Sequence, residues 1–435
     1  MDHSLTYPPS TASAAPPVSG PVWRNRNFVL LWLGEGISVV GDHFSMVAMP
    51  WLVLQLTGDA LAMGTVTVLQ TIPRVVFMLI GGVVTDRFSP RAVMLASNLL
   101  RLVMIAALAG LVWTGAIQMW MVYAYALIFG VVGAFFYPAH SAMPPRLLSP
   151  AQLQAGNALL MSTSMLGMVA GPALAGGLIA AFEQSGASGL RGVALAFAVD
   201  ALSFVASLSA LAGLRVPALA RASTAAAPNV LADLLEGLRF VGRDATLQAV
   251  FGVAALGTLL TAGPIAIGLP VLAQTRFAEG AAAYGLLMSA SALGMLLGTV
   301  LAGVLPQPRA ARLGMTLVSV YAAQGLGVAA LPWASATAPA AALALGVGVC
   351  NGYVMILFTS WFQRRTPAAL LGRVMSLLNV AVLGLAPVST AAAGALSGLG
   401  VTALLAGAGG LMTVAIFVMA FQPALRAMGD EPAAA

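Results

Sequence analysis

The chain has 435 residues, 60% of them hydrophobic and only 7% charged, with a formal net charge of +6 and a mean hydropathy of +0.96. A soluble domain carries about 25% charged residues, so this chain cannot cover a water-facing surface, and hydrocarbon is its natural solvent. Every basic residue is an arginine, and the arginines are spread over short loops rather than gathered in a patch, which argues against nucleic-acid binding.

The length leaves room for roughly a dozen spans of ~20 residues. The single cysteine, Cys350, excludes an intramolecular disulfide. His3, His43 and His140 are far apart and neither HExxH nor CxxC spacing occurs, so no metal site and no cofactor is expected. Residues 1–23, rich in Pro, Ser and Ala, lack the basic start and short apolar core of a signal peptide and read as a disordered cytoplasmic tail.

Apolar stretches then fall at 28–56, 60–85, 91–115, 118–142, 153–182, 192–214, 247–274, 281–305, 310–333, 336–361, 371–398 and 400–421. They predict an all-α membrane protein: twelve transmembrane helices in two pseudo-symmetric six-helix bundles. Backbone groups in lipid must be satisfied within the segment, and the alternation of a barrel strand is absent. With the N-terminus inside, fifteen arginines are cytoplasmic: Arg24, Arg26, Arg87, Arg91, Arg146, Arg215, Arg221, Arg239, Arg243, Arg309, Arg312, Arg364, Arg365, Arg373 and Arg426. Arg191 and Arg276 fall outside, and Arg74 and Arg101 within spans. This bias predicts both termini in the cytoplasm.

The bundles are expected at 24–214 and 247–422. The connection at 215–246 opens with PALARASTAAAPN and continues as VLADLLEGLRFVGRD, whose leucine spacing predicts an amphipathic helix at the cytoplasmic surface. Residues 423–435 form a second cytoplasmic tail. A shift of 221 residues places Ala62 on Ala283, Gly64 on Gly285, Gly82 on Gly303, Arg91 on Arg312 and Met94 on Met315. Duplicated halves are a common transporter plan.

The second and third spans are joined by GGVVTDRFSPRAV. This resembles the loop motif G-x-x-x-D-R-x-G-R-R of the major facilitator superfamily, matched by Gly82, Asp86, Arg87 and Arg91, with Ser89 and Pro90 as departures. The resemblance implies that the loop stabilises an outward-open state through contacts to the other half. Read alone, these charges are ordinary interfacial ones. The fifth span, GMVAGPALAGG, is similar to the antiporter motif of that superfamily through Gly167, Gly171, Pro172, Gly176 and Gly177. Its small residues Thr163, Gly167, Gly171 and Ala175 recur every four positions, as do Ala290, Gly294, Gly298 and Ala302 on the eighth span. Such stripes permit close helix approach, and the resemblance places the two helices together at the seam between halves. NRNFVLLWLGEGISVVGDHF, VDALSFVASLSAL, LLEGLRFVGRDATLQ and RRTPAALLGRVMSL resemble the drug-efflux branch that includes macrolide efflux proteins and the enterobactin exporter. The fourth span lacks the arginine that many proton-coupled antiporters of the superfamily carry there.

Away from the span edges, five charges fall inside the predicted spans, all in the first half: Glu35, Asp42, Arg74, Arg101 and Asp200. Each costs at least ~2.5 kcal/mol at mid-membrane, so each calls for a function. Glu35 and Asp42, seven apart, share a helix face ~10 Å apart along its axis. They are the first candidates for proton coupling or substrate contact, with Arg74 and Arg101 as partners that move during transport. A static buried ion pair is the alternative. His43 lies about 100° around the helix from Asp42 and is expected to face another helix. Trp32, Met46, Met49, Trp51, Phe136 and Tyr137 are candidates for an apolar pocket wall, and Gln324, Asn351 and Tyr353 are the neutral polar groups of the second half.

The expected protein is a secondary active exporter of a small amphipathic molecule, drug-like or siderophore-like, working by alternating access with proton antiport. It is expected to be monomeric, in the lipid bilayer of a bacterial plasma or inner membrane, with no nucleic acid and no enzymatic activity. Uptake, uncoupled transport, a lipid flippase of the same fold and a membrane-embedded enzyme are the alternatives. Neither HExxH nor GxSxG occurs to support the last.

Overall fold

The computed structural model describes residues 20–185, 189–215, 230–306, 308, 312–426 and 428, with side chains described except at 79, 83, 86, 230–235, 368–369, 383, 424 and 426. Arg221, Arg309 and most of both predicted tails lie outside the described residues, as do the side chains of Asp86 and Arg426.

The described residues form helices and no strand. In chain order these are α1 (Arg26–Thr57), α2 (Ala60–Arg87), α3 (Pro90–Trp113), α4 (Met119–Ser141), the single turn α5 (Pro144–Leu147), α6 (Pro150–Gln184) and α7 (Gly189–Gly213). The amphipathic pattern becomes α8 (Val230–Arg243). After it come α9 (Ala245–Arg276), α10 (Ala281–Val304), α11 (Leu313–Ala330), α12 (Thr337–Arg365), α13 (Ala368–Leu396), α14 (Val401–Met419) and the turn α15 (Pro423–Arg426). Twelve of them are long and apolar enough to cross a membrane, six before α8 and six after it.

Local chemistry sets where the helices begin and end. Asn25 caps α1 by accepting from the Phe28 N–H, and Asp244 caps α9 by accepting from the Thr246 and Leu247 N–H groups at 2.8 and 3.1 Å. Such caps stabilise by about 1 kcal/mol each. Gly58, at φ +64°, ends α1, and Asp59 starts α2, so two residues reverse the chain. The two departures in the loop motif are themselves a helix start. Ser89 caps α3 by accepting from the Ala92 N–H, and Pro90 occupies its first turn.

The face holding the start of α1 is termed the near face, and the one holding the α1–α2 turn the far face. The apolar packing differs sharply between them. On the far side one buried cluster crosses both halves, joining Trp51, Leu52, Ile179 and Phe197 to Ile267, Leu272, Tyr284 and Leu405. On the near side each half keeps its own cluster: Leu31, Met94, Phe136 and Met143 in one, Val250, Leu317, Trp361 and Phe362 in the other. The halves are sealed at the far face and separate at the near face.

Glycines mark where the halves touch. A Cβ at Gly176 on α6 would meet the backbone of Ala281 and Gly285 on α10, and one at Gly285 would meet Pro172 and Gly176. The Ser289 hydroxyl accepts from the Ala173 N–H at 3.0 Å across this seam. Gly64 on α2 faces Thr390 O at 3.1 Å, and Gly394 on α13 faces Leu61 and Ala60. Gly64 and Gly285, paired by the 221-residue shift, thus occupy corresponding positions in two matching seams.

The predicted stripes need correction. Gly167 and Gly171 face Val39 and His43 of α1, and Gly294 and Gly298 face α12 at Leu345 and Val349, not the opposite half. The fifth and eighth spans do meet, but through Pro172, Gly176, Gly285 and Ser289. Gly176 lies five residues beyond Gly171, about 140° around the helix, so it is on a different face. Gly177 faces open space.

Candidate functional site

The five predicted intramembrane charges converge on the middle of the first half. Asp42 on α1, Arg74 on α2 and Arg101 on α3 line one cavity of about 380 Å³. Its wall continues through Ser45, Met46, Met49, Gln70, Tyr125 and Tyr137, and is completed from the other half by Ala266, Tyr284 and Met288. The cavity therefore straddles the two halves. Met46 and Tyr137 on its wall are 53% and 45% exposed, so it is reached from outside the core.

Phe136 packs behind this wall against Arg101 rather than lining it. Trp32 points elsewhere, into an apolar groove on α1, α6 and α7, with its indole N–H donating to Thr163. Trp51 seals the far side. Its ring stacks on Tyr284 of the other half at 6.4 Å, and its indole N–H donates to Glu183, which also accepts from Gln55. Beside this seal, the Thr337 hydroxyl donates to Glu279 at 2.7 Å and holds that exposed carboxyl below the usual glutamate range.

The arginines are not held by carboxylates. Among the described residues neither makes an ion pair at salt-bridge distance. Arg101, 3% exposed, lies over the rings of Phe136 and Phe129 at 4.3 and 5.1 Å, and Arg74 lies over Tyr137 at 5.4 Å. The Nε of each is buried without a hydrogen-bond partner. Both guanidinium groups converge on Gly133 of α4, where a Cβ would lie 3.1 Å from Arg74 Nε and 3.6 Å from Arg101 Nη2. The positive charge missing from the fourth span is supplied beside it by α2 and α3.

The three acids have different surroundings. Asp200 is fully buried on α7 and accepts from the hydroxyls of Ser45 and Ser203. Gly41 makes room for this cluster, since a Cβ there would collide with Ser203 and Asp200. Glu35 is 6% exposed, accepts from Ser207 at 3.4 Å and lies 3.5 Å from His140 Nε2. Asp42 alone of the three borders the cavity, where it interacts electrostatically with Arg101, His43 and Arg74. His43 turns to α6 and holds the Val39 carbonyl at 2.8 Å.

Of the motif charges with described side chains, Arg91 is held within the first half. Arg91 donates to the Leu211 and Ala212 carbonyls at the end of α7, both at 2.8 Å. Arg87 is exposed and Gly82 has nothing close to it. Sequence reasoning missed His140, Ser207, Asn98, Gly133, Gln70 and Tyr284. In the second half, a separate cavity of about 270 Å³ holds Gln324 and Asn351 with Tyr321 and Asn379, and no charged side chain lines it. Tyr353 is not on its wall.

The Major Facilitator Superfamily model matches residues 31–391. The chain is 27% identical over 370 residues to the multidrug efflux pump Tap of Mycolicibacterium fortuitum, covering 82% of this chain and 86% of the relative. It is 23% identical over 284 residues to macrolide efflux protein A of Streptococcus pyogenes, covering 65% and 67%. It is 28% identical over 356 residues to the enterobactin exporter EntS of Escherichia coli, covering 80% of each. In fold it is similar to a bacterial homologue of the iron transporter ferroportin in an inward-facing state, with TM-score 0.69, 18% identity and coverage of 93% and 100%. It is also similar to the nucleoside transporter NupG, with TM-score 0.67, 13% identity and coverage of 92% and 98%.

Proposed function

This chain belongs to the Major Facilitator Superfamily and is a multi-pass membrane transporter, not an enzyme, and from that premise we propose that it exports an amphipathic small molecule in exchange for protons. One observation carries the reading. A charged cavity between the halves lies beneath a core that both halves share at the far face, while each half has a separate core at the near face. A site closed on one side and approachable from the other is one state of an alternating-access cycle.

The near face carries Arg24, Arg26, Arg87, Arg91, Arg146, Arg243, Arg364, Arg365 and Arg373, and the far face Arg191 and Arg276. By the positive-inside rule the near face is cytoplasmic. The state is then inward-open, and the protein loads its cargo from the cytoplasm of a bacterial inner membrane. The resting place of Arg91 on its own half fits this, because the motif's contacts to the other half belong to the opposite state.

Proton and cargo exchange at Asp42. A cargo cation or hydrogen-bond donor placed on this carboxyl takes the position the proton held, so the two bind in turn rather than together. Arg74 and Arg101 line the cavity, and their guanidinium groups supply N–H donors for carbonyl, hydroxyl or ether oxygens of the cargo. Met46, Met49, Met63 and Met288 give an adaptable apolar wall. A macrolide, with one amine, many oxygens and an apolar ring, matches all three features.

Expression of the chain in a drug-sensitive bacterium is expected to lower the intracellular level of labelled erythromycin severalfold, and an uncoupler that collapses the proton gradient is expected to restore it. A level that rises on expression would turn the reading to uptake. A level that the uncoupler leaves low would remove proton coupling.

A further inference from the structure

Glu35 and His140 form a second titratable site, distinct from the cargo cavity. His140 closes the near end of α4, with its ring stacked on Phe136 at 5.7 Å and Nε2 at 3.5 Å from Glu35 Oε2. Its side chain is 31% exposed, against 7% for Glu35. The exposed side borders an opening of about 530 Å³ at the near end of the first half, walled by Pro144, Asn157, Ser164 and Met168. None of these residues lines the cargo cavity, and neither does Glu35.

The charges around the pair come from three helices. Arg101 of α3 lies on the same Phe136 ring at 4.3 Å and interacts with both Glu35 and His140. Asp42, on the helix of Glu35, interacts with it along α1. Arg74 of α2 stands next to Arg101 at Gly133. The α6 wall of the opening contributes Asn157, Ser164 and methionines and no charge. Behind Glu35, Asn98 donates to Ser207, and Ser207 donates to Glu35, which fixes the carboxyl. A buried carboxyl is thus pinned on one side and stands 3.5 Å on the other from a partly exposed imidazole.

We infer that Glu35 and His140 form the cytoplasmic proton exit of the transporter, carrying the proton from the buried Glu35 carboxyl to the near-face opening. This deepens the exchange proposed above and rests on it. The proton leaves the Glu35 carboxyl, is taken by the neutral Nε2 of His140, and passes from the imidazolium to water in the opening. Glu35 is left as a carboxylate for the next proton, and charge is conserved at each transfer.

The test uses the full chain, labelled with [13C]histidine or reconstituted in phosphatidylethanolamine and phosphatidylglycerol vesicles with erythromycin as the probe. In histidine NMR titrations, Glu35→Gln is expected to move the midpoint of the His140 signal by more than about half a pH unit. His140→Gln is expected to slow proton-gradient-driven erythromycin transport by about 10²-fold. The same variant should keep erythromycin-for-erythromycin exchange, which needs no net proton transfer, within twofold of wild type. An unmoved His140 midpoint, full gradient-driven transport in His140→Gln, or equal loss of exchange would each overturn the exit. Wild-type protein that exchanges erythromycin but ignores the gradient would instead sink the antiport reading, and the NMR titration would still report on the pair by itself.

Discussion

Replacing Asp42 with asparagine is expected to abolish erythromycin transport driven by a proton gradient, by on the order of 10³-fold, while sparing exchange of erythromycin across the vesicle membrane. The amide keeps the size and much of the hydrogen bonding of the carboxyl but cannot hold and release a proton. Asp42 is the acid that borders the cavity, so cargo and proton can displace one another there. Asp200 offers a contrast. It is fully buried and occupied by two serine hydroxyls, and Asp200→Asn is expected to act mainly through packing, lowering both driven transport and exchange together. Gradient-driven transport by Asp42→Asn at the wild-type rate would remove this residue from the mechanism.

The second large effect is expected at the seam. Gly285→Leu places side-chain atoms where the Pro172 carbonyl and the Gly176 Cα, at 3.1 Å, already stand. Backbone on the facing helix cannot rotate away as a side chain can. Overpacking costs about 1–3 kcal/mol. Borne only by the state sealed at the far face, that shifts the balance between states by roughly five- to more than a hundredfold. Transport should fall accordingly, with the far face held open. Gly177→Leu is the control: it belongs to the same motif but has nothing within contact distance. Equal transport by the two variants would show that α6 and α10 do not close against one another here.

These two sites differ in how legible they were. Asp42 stands out in sequence because a carboxylate inside a 32-residue apolar helix has no cheap explanation. The twelve spans are visible for the same reason: hydropathy reports the solvent directly. The seam is not visible, because several faces of α6 and α10 carry small residues and periodicity does not say which neighbour each face meets. Gly294 lies about 180° around α10 from Gly285, so choosing the wrong glycines reverses the helix face. The family motif contained Pro172 and Gly176, and the internal repeat paired Gly64 with Gly285, but neither said which helix faces meet.

The exit was hidden differently. His140 ends a helix after Pro138 and reads as an interfacial residue. Its partner Glu35 is more than a hundred residues away, and no local pattern links them. The arginines were expected to hold the acids. Instead, aromatic faces hold them and leave their Nε groups unpartnered. Ring faces can compensate a guanidinium without consuming a carboxylate, so Asp42 keeps its freedom to exchange. The serine and proline that interrupt the loop motif were readable from capping rules alone, as the start of α3.

The central claim is that the two halves rock about the charged cavity, opening one face as they close the other. Spin labels on Ser141 and Gln363 report the near face, and labels on Thr57 and Leu399 the far face, in protein with Cys350→Ser. Distances are measured in reconstituted protein at alkaline and acidic pH. Reciprocal change is predicted, with the near-face pair shortening in the same fraction of molecules in which the far-face pair lengthens. Distances that stay fixed, or that lengthen together at both faces, would contradict it.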